Sequence, residues 1–377
     1  MDFRLSEDQQ AFAAAAAALF AEHCGDDQLR THDVSGEPYQ RALWPACVDT
    51  GLHAIVVPEA AGGLGLGMTD LIGVLEAQGC ALALVPLWEH QLAAAAVAHF
   101  GAPELKARVL PAAVDGSAPC TATLAALADA RGPRLHLARV AGQWQLSGRQ
   151  AALPLGGDAR YALLGAEHDG TPRVVLVDLQ QPGIARTPGL DQHHLGVADL
   201  AFDALPLADD AVLDIAAHAW FEPRTIACLA ALQLGVSAEQ LRRTVQHVSE
   251  RQQFGRPIGS FQLVAGGLAD AHIGVETLRS ALAQLVYRLD AGLGALPQAL
   301  AVHAQFCDLG HFAGLKAQHV HGGVGVDLSH PAHRFLYWSR ALAVHEGSAG
   351  HHLERLGDWL AGHDQLGWKY DLPEDAA

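Results

Sequence analysis

The sequence predicts an α+β protein in three successive parts: an N-terminal α-helical domain over 1–116, a middle antiparallel β domain over 117–212 and a C-terminal four-helix bundle over 213–377. Two changes of hydrophobic period carry this prediction. Apolar residues recur at helical spacing as far as Gly116, then give way to short alternating runs as far as Ala208, with turn signals about every eight to twelve residues. Helical spacing returns from Ile215 in four long stretches. A third observation is the order itself, because helices, then strands, then helices argue against a single doubly wound parallel sheet.

The elements follow in sequence. Ser6 before Glu7 and Asp8 is an N-cap with an acidic first turn, opening a helix over Gln10 to Cys24. Further helices are expected through Gln40 to Thr50, Thr69 to Gln78, Glu89 to Phe100 and Glu104 to Val114, with glycine and proline between them. Strands are expected at Leu135 to Val140, Trp144 to Ser147, Tyr161 to Leu164, Val174 to Asp178 and Ala198 to Phe202. Ala141-Gly142 and Asp169-Gly170 sit where hairpin turns belong. Thr225 to Glu250, Phe261 to Leu289, Leu296 to His319 and His333 to Leu360 are each long enough to cross a domain, and their short connections predict the bundle.

Composition bounds the function. Among 377 residues, 24 Lys and Arg stand against 41 Asp and Glu, a net charge of −17 that argues against nucleic acid as the main ligand. The apolar half of the chain is ample for a core and excludes disorder. The longest wholly apolar run, Ala11 to Phe20, is too short for membrane insertion and follows acidic and polar residues, so a soluble cytoplasmic protein is expected. Cys24, Cys47, Cys80, Cys120, Cys228 and Cys307 are scattered with no C-x-x-C, which reads as reduced, buried thiols. His193-His194, His319-x-His321 and His351-His352 lack H-E-x-x-H or a nearby carboxylate triad, so no metal site is expected.

Three segments draw attention. Ile55 to Gly67 reads as a strand, a glycine turn and a helix, but G-x-G-x-x-G starting at Gly63 and Gly65 would need glycine where Met68 stands, so an interhelical turn is the simpler reading. In the run Arg251 to Gln262 a helix ends near Phe254-Gly255 and Ser260 caps the next one. That run is either a helical hairpin with solvated arginines or a site where Arg251 presents its planar donor fork to a phosphate and Phe254 covers an aromatic ring. In the third segment, His321-Gly322-Gly323-Val324-Gly325 allows close backbone approach to a ligand, and Glu346 before Gly347-Ser348 lies at a helix break.

Taken together, the opening Met1 to Gln10, the Val57 to Gly67 loop, the R-x-x-F-G run ending in Gln262, H-G-G-x-G and E-G-S resemble the acyl-CoA dehydrogenase family along the whole chain. The spacing from Arg251 through Gly322 to Glu346 is similar to that of the medium-chain type. The resemblance implies the family fold, a tetramer, FAD and α,β-dehydrogenation of an acyl-CoA thioester to a 2-enoyl-CoA, with electron-transfer flavoprotein as acceptor. It implies Glu346 as the base that removes the α-proton while hydride leaves the β-carbon for flavin N5. Thr225 stands at the alternative base position of the isovaleryl and long-chain types. Arg251, Phe254, Gln262, His319, Gly322, Gly323 and Ser348 are implied as cofactor-binding, with the arginine, the phenylalanine and the G-G segment reaching the ADP half of a neighbouring subunit's FAD.

The middle domain departs from the family. Where T-E-P-x-A-G-S-D is expected, Cys120 to Ala130 reads CTATLAALADA, and where W-I-T faces the flavin, Ala152-Leu153-Pro154 stands. Proline offers neither the hydroxyl nor the backbone N–H of threonine. The glutamine before H-G-G-x-G is His319. These losses have a direction: the face that donates to a neighbour's FAD is kept and the pocket for the chain's own flavin ring is lost. The expectation is therefore the flavin-site-deficient subunit of a heterotetrameric enzyme for bulky, steroid-like acyl-CoA substrates, with FAD at a subunit interface. A self-sufficient homotetramer using Glu346 as base, and a non-catalytic helical assembly protein, are the alternatives.

Overall fold

The computed structural model describes residues 5–128 and 134–363. The helices are α1 (Glu7–His23), α2 (Asp26–Ser35), α3 (Leu43–Asp49), α4 (Met68–Ala81), α5 (Leu87–Phe100), α6 (Pro103–Val114), α7 (Ala125–Ala128), α8 (Ala216–Glu250), α9 (Gln262–Asp290), α10 (Leu296–His321), α11 (Ala332–Leu342) and α12 (Ala349–Ala361). The strands are β1 (Cys120–Thr123), β2 (Leu135–Val140), β3 (Gln143–Pro154), β4 (Tyr161–His168), β5 (Thr171–Asp178), β6 (Ile184–Leu190), β7 (Gly196–Leu207), β8 (Gln252–Gln253) and β9 (Arg256–Pro257). They gather into two compact units, one of residues 28–67 and 84–225, the other of residues 5–27, 68–83 and 226–363. The helix, strand, helix order along the chain is the expected one, and α1 and α4 belong to the same unit as the C-terminal helices.

The first unit holds a sheet in the order β1-β4-β2-β3-β7-β6, with β5 on β4. Asp169 and Gly170 at the β4–β5 turn, and Ala141 and Gly142 at the β2–β3 turn, all take positive φ, as a two-residue hairpin of matching twist requires. The sheet is mixed, which corrects the expectation of an antiparallel layer. β1 runs parallel to β4 because the chain leaves it through α7 and crosses over before returning in the same direction. Leu163 and Leu164 in β4 are fully buried, as befits a strand covered on both faces.

Helix α5 is buried from Leu87 to Val97 and packs on β1 and α6. It presents His90 to the end of α6, where three rings close off the last carbonyls. Trp44 Nε1 donates to Gly116 O at 2.9 Å, His53 Nε2 to Val114 O at 2.7 Å and His90 Nε2 to Ala113 O at 3.0 Å. Ala113 O also accepts from Gly116 N at 3.1 Å, so His90 adds a second bond there, while the other two rings bond carbonyls at and just past the helix end.

In the second unit α4 begins where Asp290, at the end of α9, accepts from the backbone N–H groups of Met68 and Thr69 at 2.7 and 3.0 Å. A capping carboxylate thus comes from 221 and 222 residues away. Gln233 on α8 donates to Ser237 and, across the bundle, to Ser339 on α11 at 3.0 Å.

Two expectations need correction here. His333 to Leu360 is not one helix: it breaks between Leu342 and Ala349, where Gly347 takes φ of 100° and the Ser348 hydroxyl accepts from His351 N at 3.2 Å. Ser260 does not cap α9; its hydroxyl donates to Pro257 O and Phe261 is the flanking residue. Ile55 to Gly67 forms turns and a short 3-10 helix over Glu59–Ala61, with no strand, and a Cβ on Gly63 would lie 2.2 Å from Val57 O. Among the described residues no helix is long and apolar enough to cross a membrane.

Candidate active site

The residues singled out by sequence fall into two groups on the second unit. The first is the junction of α8, α9 and α10. Helix α8 stops at Glu250, and Arg251 leads into the β8–β9 hairpin, whose turn residues Phe254 and Gly255 have φ of 53° and 75°. That turn projects Phe254 outward, 91% exposed, with Phe261 edge-on at 6.1 Å and Arg256 over the Phe261 ring. Arg251 and Gln262 are exposed beside it. The φ of 53° at Phe254, a conformation rare outside glycine, fixes where this exposed ring projects.

The end of α10 meets this junction. His321 stacks on His247, one turn before Arg251, with ring centroids 4.2 Å apart. Gly322 follows with φ 61° and ψ −138°, a conformation open to glycine alone, and a Cβ on Gly322 or Gly323 would meet nothing within 4 Å. His319 is exposed on the last turn of α10. Arg251, Phe254, Gln262, Gly322 and Gly323 therefore share one solvent-facing edge, and His319, exposed two residues before His321, points away from the His247 contact.

Glu346 lies elsewhere. It sits in the break between α11 and α12, 5% exposed, with its carbonyl accepting from His352 Nε2 at 2.9 Å. The His352 ring packs on His303 of α10 at 3.8 Å, and burial, with His352 and His351 nearby, pushes the His303 imidazole down to about 3. The Cys307 thiol bridges toward His303 Nδ1 and Ala343 O, each at 3.6 Å, and is pushed up to about 12 by burial. Ser348, expected to bind cofactor, uses its hydroxyl as the α12 cap. His303 and His321 are 18 residues apart on α10, about 27 Å at 1.5 Å per residue. The two groups are thus separate half-sites at opposite ends of one helix.

The sheet unit holds the segments that depart from the family pattern. The Thr121 hydroxyl of β1 donates to Pro154 O at 2.6 Å, and residues 153–156 are buried. Ala152 and Leu155 on either side of Leu153-Pro154 take φ of 44° and 51°, a conformation that alanine and leucine rarely adopt. Thr123 Oγ1 accepts from Ala125 N and so starts α7, where the family pattern has its longer cradle; Asp129 and Ala130 of that stretch lie outside the described residues. Thr225, at the alternative base position, is 1% exposed, and its hydroxyl has no hydrogen-bond partner among the described residues. Replacing Thr121 with valine should leave Pro154 O buried and unpaired at a cost of about 1–3 kcal/mol. A chemical denaturation midpoint unmoved by T121V would count against this closure. Sequence reasoning missed this bond, since no local pattern joins residues 33 positions apart.

The fold is that of an FAD-dependent dehydrogenase of acyl thioesters. The chain belongs to the acyl-CoA dehydrogenase family: residues 6–117 match its N-terminal domain and residues 225–361 its C-terminal domain. It is 33% identical over 375 residues to acyl-CoA dehydrogenase FadE27 of Mycobacterium tuberculosis, covering 96% of this chain and 99% of that protein. Among solved structures it is similar to a variant of the Tcur3481-Tcur3483 steroid ACAD, at 34% identity and a TM-score of 0.88 over 94% of this chain and 98% of that one. It is also similar to a chain of the ChsE4-ChsE5 complex from Mycobacterium tuberculosis, at 32% identity and a TM-score of 0.89 over 96% and 99%.

FAD, the cofactor of this family, fits one half of the candidate site and not the other. The Arg251 guanidinium and the open Gly322-Gly323 backbone suit phosphate oxygens. The Leu153 to Gly156 segment does not suit an isoalloxazine ring, because Pro154 has no N–H, Thr121 is already bonded to it, and the segment is buried.

Proposed function

We propose that this chain is one subunit of a heteromeric FAD-dependent acyl-CoA dehydrogenase for bulky, steroid-like acyl-CoA thioesters. It lends Arg251, Phe254, Gln262, His319, Gly322 and Gly323 to the FAD of a neighbouring, unlike subunit. The observation that carries this reading is the contrast between the closed, buried Thr121–Pro154 pair and the exposed Phe254 hairpin beside an open glycine pair. It is supported by similarity to chains whose structures are described as a steroid ACAD and as a two-component complex.

When bound, FAD would supply the hydride acceptor of the family reaction, with a carboxylate as the base for the α-proton. On this reading no such step runs at a flavin of this chain, and Glu346, inward-facing and bonded through its carbonyl to His352, holds the α11–α12 break. What the chain contributes is positioning. Arg251 offers a charged donor fork, and Phe254 covers an aromatic surface that its hairpin holds in place.

Purification tests this. The chain expressed alone should be colourless, and co-expression with the unlike subunit should yield a complex with flavin absorption. R251A in that complex should weaken FAD retention by about 10- to 100-fold, the value of one charge-assisted hydrogen bond pair. A stoichiometric flavin band in the chain purified alone would overturn the reading in favour of a self-sufficient homotetramer with Glu346 as base.

A further inference from the structure

Three imidazoles crowd the edge just described: His321 and His330, which lie in the third segment marked by sequence, and His247, which does not. His247 on α8 and His321 at the end of α10 are stacked at 4.2 Å and 17°, and His330, before α11, lies 5.6 Å from His321. Arg251 follows His247 by one helical turn, its N–H donating to His247 O at 2.8 Å. We propose that His247, His321 and His330 form, with Arg251, an anion site that holds the diphosphate of a dinucleotide and takes up protons as it fills. The proposal rests on the reading that this edge serves a neighbouring subunit's FAD, and it adds the groups and the proton linkage.

Hydrogen bonding sets which ring atoms are available. His321 Nδ1 lies 2.8 Å from Ala317 O, and a carbonyl only accepts, so Nδ1 carries a proton and Nε2 faces away as the atom that can gain one. His330 Nδ1 accepts from Ala332 N at 3.3 Å, so its Nε2 carries the proton and is a standing donor. Burial, then the neighbouring His321, His330 and Arg251, hold His247 below its ordinary value, against Glu250. Burial and His321 do the same for His330, with His333 adding to them and Asp26 and Asp327 opposing.

Of the opposing acids, Glu250 accepts from Gln246 Nε2 at 3.1 Å and stays beside His247, whereas the two that oppose His330 are committed elsewhere. Asp26 takes both of its oxygens to Arg243 at 2.9 and 3.0 Å, and Asp327 Oδ1 accepts from Ser329 N at 2.8 Å. Without an added anion, burial first and then the neighbouring cationic groups disfavour the charged forms of His247 and His330. A diphosphate between them and Arg251 reverses that balance, because each proton gained then meets opposite charge. The adjoining Gly322 and Gly323, with open space where side chains would be, admit a ligand of that bulk.

The test is calorimetric titration of the full chain, purified without its partner and freed of nucleotide, with ADP-ribose, whose diphosphate is a diester that does not itself titrate near neutrality. Two buffers of different ionisation enthalpy report the protons exchanged. The expected result is net proton uptake at pH 7 and affinity about tenfold tighter at pH 6 than at pH 8. H247Q and H330Q should each reduce the uptake and flatten the pH dependence, whereas R251A should weaken binding at both pH values and leave the slope. Binding without proton uptake, an unchanged slope in both histidine variants, or no binding at either pH overturns the proposal. If ADP-ribose binds with proton uptake but R251A leaves the FAD content of the co-purified complex intact, the anion site stands and the interface reading falls.

Discussion

Alanine at Gly235 is expected to destabilise the protein by about 3 kcal/mol or more, a large change for an addition of one methyl group. A Cβ there would lie 2.0 Å from Glu76 O and 2.7 Å from Cys80 N on α4. The contact is reciprocal, since a Cβ on Gly79 of α4 would lie 2.1 Å from Leu232 O on α8. The two helices therefore cross backbone against backbone, and no side chain can rotate to make room. Helix α4 would have to retreat, carrying with it buried Leu71, Val74 and Leu75 and the Glu76 carboxylate that pairs with Arg279 of α9 at 2.7 Å. G266A is the matched control: a Cβ at Gly266 on α9 meets nothing within 4 Å, and alanine there should be neutral or stabilising by up to about 1 kcal/mol. Denaturant midpoints compare the two, and a G235A loss within about 1 kcal/mol of the control would mean that the crossing is loose.

That crossing also marks where sequence stops being legible. The helical period gives α5, α6, α9 and α10 to within about three residues at each end, and Asp169-Gly170 gives its hairpin, because those signals are local. Strand β6 escapes such a reading because Ile184–Leu190 carries no alternation: six of its seven residues are exposed, and Pro188 interrupts it. Helix α2 escapes it because its sequence, DDQLRTHDVS, buries only Leu29 and His32. The parallel placement of β1 on β4 has no signature at all, since it depends on where a crossover returns. The candidate site divides in the same way. Arg251, Phe254, Gln262 and the glycine pair are marked by resemblance to the family's motifs, but the separation of Glu346 from them is set by the length of α10. His247 could be found only by knowing that α8 and α10 end side by side, since His247 and His321 are 74 positions apart.

His90 predicts a large pH effect. Its Nε2–H donates to Ala113 O and its Nδ1 accepts from Cys120 N, both at 3.0 Å, so the neutral ring satisfies both partners and a second proton would confront an N–H. Burial, reinforced by His53, pushes this imidazole down to about 3 from an ordinary value of 6.5. Between those values the unfolded chain binds a proton that the native state refuses, so the contribution of His90 is complete above pH 6.5 and is lost as pH falls, by about 1.4 kcal/mol per unit. His303, held down to about 3 by burial in the other unit, acts in the same direction. Glu89 acts against them: buried and raised to about 8, its carboxyl favours the native state at low pH and loses that advantage as pH rises from 4.5 to 8. The net slope thus mixes opposing groups, and a variant isolates one of them. H90Q keeps a donor and an acceptor but cannot titrate, so its stability should fall less steeply than that of the parent between pH 6.5 and pH 5, by about 1.4 kcal/mol per unit. Urea midpoints at pH 7.5, 6 and 5 for the two proteins measure the difference, and parallel pH profiles would show that His90 takes its proton without leaving the core.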